Sequence, residues 1–145
     1  MMESVKRMVT GRAAPTSDGS IHLLTDELRR VLEKKDIDAL ADLYDERAVL
    51  EELSSLSPPS HPMVVEGREA IRDRLRQEML HDPVSGWTRQ LESAEVVDVI
   101  ETDDSIAFTE VRTYAAGDKV VAQHLAHKRE GRIDHDRVLL AFDPV

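Results

Sequence analysis

Between residues 104 and 115 the sequence reads as a strand whose two sides differ sharply. Ile106, Phe108, Glu110, Arg112 and Tyr114 alternate on one side, and Ala107, Thr109, Val111, Thr113 and Ala115 on the other. Arg112 offers five N–H donors in a planar fork, the geometry that holds a carboxylate or an oxyanion bidentately. Glu110, two residues away, is a ready partner for it. Two dispositions are open. Turned inward, this face gives a binding site an internal cation. Turned outward, it is the solvated side of an ordinary antiparallel strand.

The next extended run, 119–129, sets Val121, Gln123, Leu125 and His127 on one face and His124 on the other. An imidazole titrates near neutral pH, so His127 has the chemistry of a proton donor or acceptor; a surface or rim histidine fits the same spacing. In 132–142, Asp136 shares a face with Val138 and Leu140. Glu51 and Glu52 close an earlier short strand, 48–53, and parity alone does not choose which of them points inward. Two carboxylates in one site can divide acid and base duties. The alternative is that Asp136 pairs with Arg112 or Arg137 and does no chemistry.

Other chemistries find no support. The six histidines lie in separate segments or at odd strand spacings (His124 and His127), so no set with carboxylates converges on a metal. The six glycines are scattered and form no phosphate-cradling loop. Ser54, Ser55, Ser57 and Ser60 sit in a proline-rich stretch without the strand–turn–helix context of a nucleophilic serine. There is no cysteine, which removes disulfides and thiolates. No metal and no cofactor is expected.

These residues belong to a chain of 145, the length of one domain, 41% hydrophobic and 33% charged. With 19 basic and 29 acidic residues the net charge is −10, which repels nucleic acid. The basic residues of 68–76 alternate with acidic ones as on a solvated helix face. No apolar run approaches the roughly 20 residues a bilayer requires, and the first ten residues lack a secretory pattern. A cytoplasmic protein without membrane or nucleic-acid partners is the expectation.

The elements that must position the site follow from periodicity. Residues 1–19 carry no pattern and read as a flexible N-terminal arm, with the domain spanning 20–145. Ile21, Leu24, Leu28, Val31 and Leu32 mark a first helix. Asp36 is an N-cap for a second, with Ile37, Leu40, Leu43 and Tyr44 as its apolar side. Strand 48–53, a proline-rich loop and the brief Val64-Val65 lead to a third helix, Arg68–Leu80, with Ala70, Ile71, Leu75 and Met79 inward. A connector at 81–87 precedes four strands, 88–101, 104–115, 119–129 and 132–142. Turns at Thr102-Asp103-Asp104, Ala116-Gly117-Asp118 and Glu130-Gly131 punctuate them. Three helices can cover only one face of so long a sheet. The expected architecture is therefore α+β: a cone in which three helices pack on a strongly bent antiparallel sheet that encloses a pocket.

Three stretches carry a family resemblance. Lys35 to Leu40, followed by Leu43 to Glu52, resembles the opening motif of the nuclear transport factor 2-like superfamily, in its SnoaL-like and ketosteroid-isomerase-like branch. Val65-Glu66-Gly67-Arg68-Glu69-Ala70-Ile71 is similar to the start of that family's third helix. Gly131-Arg132-Ile133 and Phe142-Asp143-Pro144 resemble its last pair of strands. The resemblance implies the cone fold and a homodimer through the outer sheet face. It places Glu52 as a general base, Glu52 and Asp136 across one pocket, and Phe108, Glu110, Arg112 and Tyr114 along the wall. Gln123 and His127 join them from the next strand, and Trp87 lies near the mouth. The isomerase donors of that branch fall at Leu28 and Leu125, which cannot hydrogen-bond, a loss of about 3 kcal/mol or more per donor. The scarcity of aromatics, 3%, favours a small or polar ligand over a polycyclic one. A cofactor-independent isomerase, cyclase or hydratase using Glu52, His127 and Asp136 is the leading expectation. A non-catalytic ligand-binding module, or a dimerisation module built on the Ala107–Ala115 face, is the alternative.

Overall fold

The structure, a computed structural model, describes residues 23–80 and 91–144. The expected arm and Trp87 lie outside the described residues.

Helix α1 (Thr25–Glu33) buries Leu28, Val31 and Leu32 on one side. It ends where Lys35 takes a left-handed backbone (φ 55°) and turns the chain. Asp36 then caps α2 (Ile37–Ala41), its carboxylate accepting from the Ala39 N–H at 3.1 Å. Replacing Asp36 with Ala should cost about 1 kcal/mol, read as a lower urea midpoint at unchanged slope.

The start of α1 has no cap of its own, because Leu24 occupies that position. Glu101 supplies one from far along the chain. Its carboxylate accepts from the N–H of Leu24 (2.5 Å), the N–H of Thr25 (3.0 Å) and the Thr25 hydroxyl (2.5 Å). Lys128 Nζ donates to the same group at 2.7 Å. Both partners are buried, so the pair ties the helix to two strands at once.

The strands are β1 (Tyr44–Leu53), β2 (Met63–Glu66), β3 (Leu91–Glu101), β4 (Ser105–Tyr114), β5 (Lys119–Arg129) and β6 (Arg132–Asp143), with α3 (Arg68–Leu80) between β2 and β3. They form one sheet in the order β2-β1-β6-β5-β4-β3. All neighbours run antiparallel except β1 and β6, which are parallel. The last strand thus returns beside the first, a junction the meander pattern does not reveal. Register shifts at Leu91/Ser93, Val97/Ile100 and His127/Lys128 bend the strands, so the sheet is curved and remains open at its edges.

Glu130 and Gly131 both take positive φ (53° and 78°), as a tight hairpin between twisted strands requires. Gly67 (φ 95°) turns β2 into α3, and its N–H donates to the Ala48 carbonyl at 2.8 Å. Two expectations are corrected. Tyr44 begins β1 rather than closing α2, and Ala70 faces solvent. The inner side of α3 is Ile71, Leu75, Glu78 and Met79.

The helices and the alternate buried residues of the strands share one core, with Leu28, Leu32, Leu40, Leu50, Ile71, Ile106, Phe108, Ile133 and Val138 among its members. Among the described residues no helix is long and apolar enough to cross a membrane.

Candidate functional site

Among the described residues nine charged or polar ones are buried, and most of them meet between the sheet and α3. Strand register explains how. Glu110 of β4 lies opposite Ala122 of β5, and Asp136 of β6 lies opposite Ala126. Those alanines leave room for longer side chains on the same face. His124, two residues from each alanine, is then the diagonal neighbour of both carboxylates.

The result is a chain of contacts across the sheet. The Tyr44 hydroxyl donates to Asp136 Oδ2 at 2.7 Å. His124 Nδ1 is 2.9 Å from Asp136 Oδ2, and its Nε2 is 3.0 Å from Glu110 Oε1. Arg112 donates to Glu110 through Nε (2.9 Å) and Nη2 (3.2 Å). Phe108 stacks on the imidazole with centroids 4.2 Å apart and planes 10° off parallel.

The charges hold one another in place. Burial alone would expel the proton of His124, but Asp136 and Glu110 outweigh it and raise the imidazole from an ordinary 6.5 to about 9. Burial pushes Glu110 upward, and Arg112 and His124 overcome this to bring it down to about 2. Arg112 stays charged because Glu110 and Glu78 more than offset its desolvation. Burial, with Asp136 beside it, pushes the Tyr44 phenol well above its usual range.

The chain continues onto α3. Arg112 Nη1 is 3.5 Å from Glu78 Oε1. Arg74 reaches Glu78 Oε2 through Nε at 3.1 Å, and Glu52 Oε1 through Nε (3.2 Å) and Nη2 (3.0 Å). Glu52 also lies within hydrogen-bonding reach of Glu78. Tyr114 donates to the Glu78 backbone carbonyl at 2.6 Å, which holds the last turn of α3 against β4. Burial first, and the hydrogen bond to Glu52 second, push the Glu78 carboxyl up to about 8, against the pull of Arg112. Its Oε1 has no hydrogen-bond partner among the described residues. Arg74, with 23% of its side chain exposed, connects this end to solvent.

Chemical capacity is unevenly distributed along the chain. His124 uses both ring nitrogens, and Asp136 accepts from two donors. His124 thus has no ring nitrogen free for a ligand, and Asp136 is completely buried behind its two donors. The Glu52–Glu78 pair is different: two carboxyl groups in contact, one of them holding its proton at neutral pH. Among the described residues no group of three or more histidines and carboxylates is disposed to hold a metal.

The sequence-derived candidates fall into two groups. Glu52, Phe108, Glu110, Arg112, Tyr114 and Asp136 are buried together. His127 and Gln123 are not with them. Both stand exposed on the opposite face, where His127 lies parallel to His135 with ring centroids 6.3 Å apart. Leu125 shares that face and is 58% exposed. The expected parity of β5 is therefore reversed. Thr113 pairs with Lys119 across the hairpin, so the buried Ile106, Phe108, Glu110 and Arg112 of β4 each meet an even-numbered residue of β5. Once Phe108 and Glu110 point inward, His124 must follow. That signal lay in the turn length. Glu78 escapes a reading of the sequence for a different reason, although it sits seven residues after Ile71 and three after Leu75, on the same helical face.

No protein-family model matches the sequence, and no curated protein matches it. Solved structures do. A nuclear transport factor 2-like protein of unknown function from Burkholderia xenovorans LB400 superposes with a TM-score of 0.59 at 17% identity, over 83% of this chain and 80% of that one. A Kribbella flavida DSM 17836 protein provisionally described as a ketosteroid isomerase gives 0.60 at 14% identity, over 84% and 79%. A Bacillus subtilis protein provisionally described as an isomerase gives 0.57 at 20%, over 81% and 83%. The chain has the nuclear transport factor 2-like fold. At such identities the likeness concerns fold alone, since this architecture hosts many activities.

Proposed function

We propose that this protein is a cofactor-independent acid/base enzyme acting on a small organic molecule, with Glu52 and Glu78 as its working pair. The observation that carries this reading is the buried Glu78 Oε1, which has no hydrogen-bond partner among the described residues and only the distant Arg112 Nη1 at 3.5 Å, beside a second carboxyl group. A buried acceptor or donor left unpaired costs stability, so its retention suits a site completed by a ligand. In this reading Glu52 takes a proton from a carbon next to a carbonyl. Glu78, protonated, donates a hydrogen bond to the carbonyl oxygen as negative charge develops there. Return of the proton to a different carbon completes an isomerisation. Glu78 thereby supplies a donor that Leu28 cannot, while Leu125 stands on the outer face and away from the site. Asp136 and His124 keep the network charged and ordered without touching the reacting atoms. The exposed Leu125 and Leu139 on the outer sheet face suit the homodimer that the fold resemblance implies, and a cytoplasmic location suits a chain without cysteine.

The test does not require an identified substrate. Small cyclic and acyclic ketones and enones in deuterated buffer are followed by NMR for exchange at the carbon beside the carbonyl. The wild type should accelerate exchange for a subset of them. Glu52→Gln should lower that rate by at least about a hundredfold, and Glu78→Gln should lower it by a similar factor. Saturable binding without exchange in the wild type would convert the reading to a ligand-binding module.

A further inference from the structure

The cation at the heart of the site is already spent. Arg112 gives Nε and Nη2 to Glu110 at 2.9 and 3.2 Å, and its Nη1 lies 3.5 Å from Glu78. The Tyr114 hydroxyl turns to the Glu78 carbonyl rather than to the site. Arg74 is taken up by Glu52 and Glu78, and His124 by Asp136 and Glu110. The cluster holds four carboxyl groups, Glu52, Glu78, Glu110 and Asp136, against three cations, Arg74, Arg112 and His124. At best it is neutral, and a further negative charge would be buried without a counter-charge, which is strongly disfavoured.

We propose that the site takes ligands that are uncharged at the end meeting Glu52 and Glu78, and refuses carboxylates and phosphates, because Glu110 and Glu78 together occupy Arg112. The proposal rests on the reading that the Glu52–Glu78 end is where a ligand arrives. It reverses the simplest expectation for a buried arginine, which is that it recruits an anion. Glu110 acts here as a selectivity residue: its carboxylate does what an anionic ligand would otherwise do.

Matched amides and carboxylates of the same shape provide the probes: acetamide, isobutyramide and benzamide, each against its acid, titrated by NMR near neutral pH. In the wild type the best amide should bind at least about a hundredfold more tightly than its carboxylate, the discrimination expected when an uncompensated buried charge is the alternative. In the double variant Glu78→Gln/Glu110→Gln, Arg112 loses both acidic partners, and the preference should invert in favour of the carboxylate. Equal binding of amide and carboxylate to the wild type, or binding of neither, overturns the proposal, as does a folded double variant that still prefers the amide. Should the double variant fail to fold, the wild-type comparison decides alone. Benzamide has no hydrogen on the carbon beside its carbonyl, so binding is read apart from catalysis. Loss of selectivity therefore leaves the acid/base reading standing, and absence of exchange with selectivity intact removes only that reading.

Discussion

Replacing Asp136 with Ala is expected to lower the stability of the protein by about 3–5 kcal/mol, the usual cost of removing one partner from a buried charge pair. Asp136 is completely buried. It accepts from the Tyr44 hydroxyl and faces the imidazole of His124. Its removal leaves a buried phenol without its acceptor and a buried cation with one anion instead of two. The cavity adds to the penalty. For a chain of this length the melting temperature should fall by roughly 10 °C or more. Asp136→Asn is a graded control: it keeps an acceptor for Tyr44 and removes only the charge. Calorimetry on the three proteins reads the difference. If Asp136→Ala melts within about 2 °C of the wild type, corresponding to well under 1 kcal/mol, the buried network is not what holds β1, β5 and β6 together.

Stability should also fall steadily from mildly acidic to alkaline pH, against the common pattern of a maximum near neutrality. Two groups drive this. His124 is raised from 6.5 to about 9 by Asp136 and Glu110, which outweigh its burial. A group whose proton is held more tightly in the folded chain stabilises that chain below its unfolded value, and the stabilisation is lost as pH rises through the folded one. The contribution of His124 is therefore complete below 6.5 and gone above about 9. At about 1.4 kcal/mol per tenfold change in proton affinity it is worth roughly 3 kcal/mol. Glu78 acts in the same direction. Burial and Glu52 raise it from 4.5 to about 8, so the folded chain retains a proton the unfolded chain has lost, and stability drains across that window. Glu110 has the opposite sign. It is lowered from 4.5 to about 2, so its contribution is complete above 4.5 and lost as pH falls toward 2. The optimum should lie in the mildly acidic range, with a decline on the order of 5 kcal/mol by strongly alkaline pH. Urea midpoints across this range check it. Glu78→Gln should flatten the decline below pH 8 while leaving the later loss from His124. A pH profile rising toward alkaline conditions would contradict the charge assignments.

Much of the architecture was legible because local chemistry and fold agree. Asp36 caps α2 as its side chain suggested. The periodic Ile71, Leu75 and Met79 mark the inner side of α3. The positive φ values at Glu130 and Gly131 realise the expected hairpin. Even Glu110 and Arg112, charged residues on an otherwise apolar strand face, turn out to be inside.

The expected facing of β5 fails because a family resemblance sets a strand's facing independently of its neighbour. A shift of one residue moves a whole strand's side chains to the other face, and the hairpin joining β4 to β5 leaves no such freedom. Glu78 is hidden in the sequence because a glutamate among arginines on a helix reads as solvated surface. Only the packing of α3 against β1 and β4 removes its water.

By itself, then, the sequence determined the elements, their order and the residue types available for chemistry, because periodicity, capping and turn geometry act over a few neighbouring residues. The tertiary structure decided which of those residues share a dry space. Tyr44 and Asp136 are 92 positions apart, and Glu52 and Arg74 are 22 apart. Their meeting depends on the parallel return of β6 beside β1 and on the way α3 closes over the sheet. Charge is governed by the same long-range placement: the pull on His124 and the push on Glu78 come from burial and from partners on other elements, which no local pattern encodes.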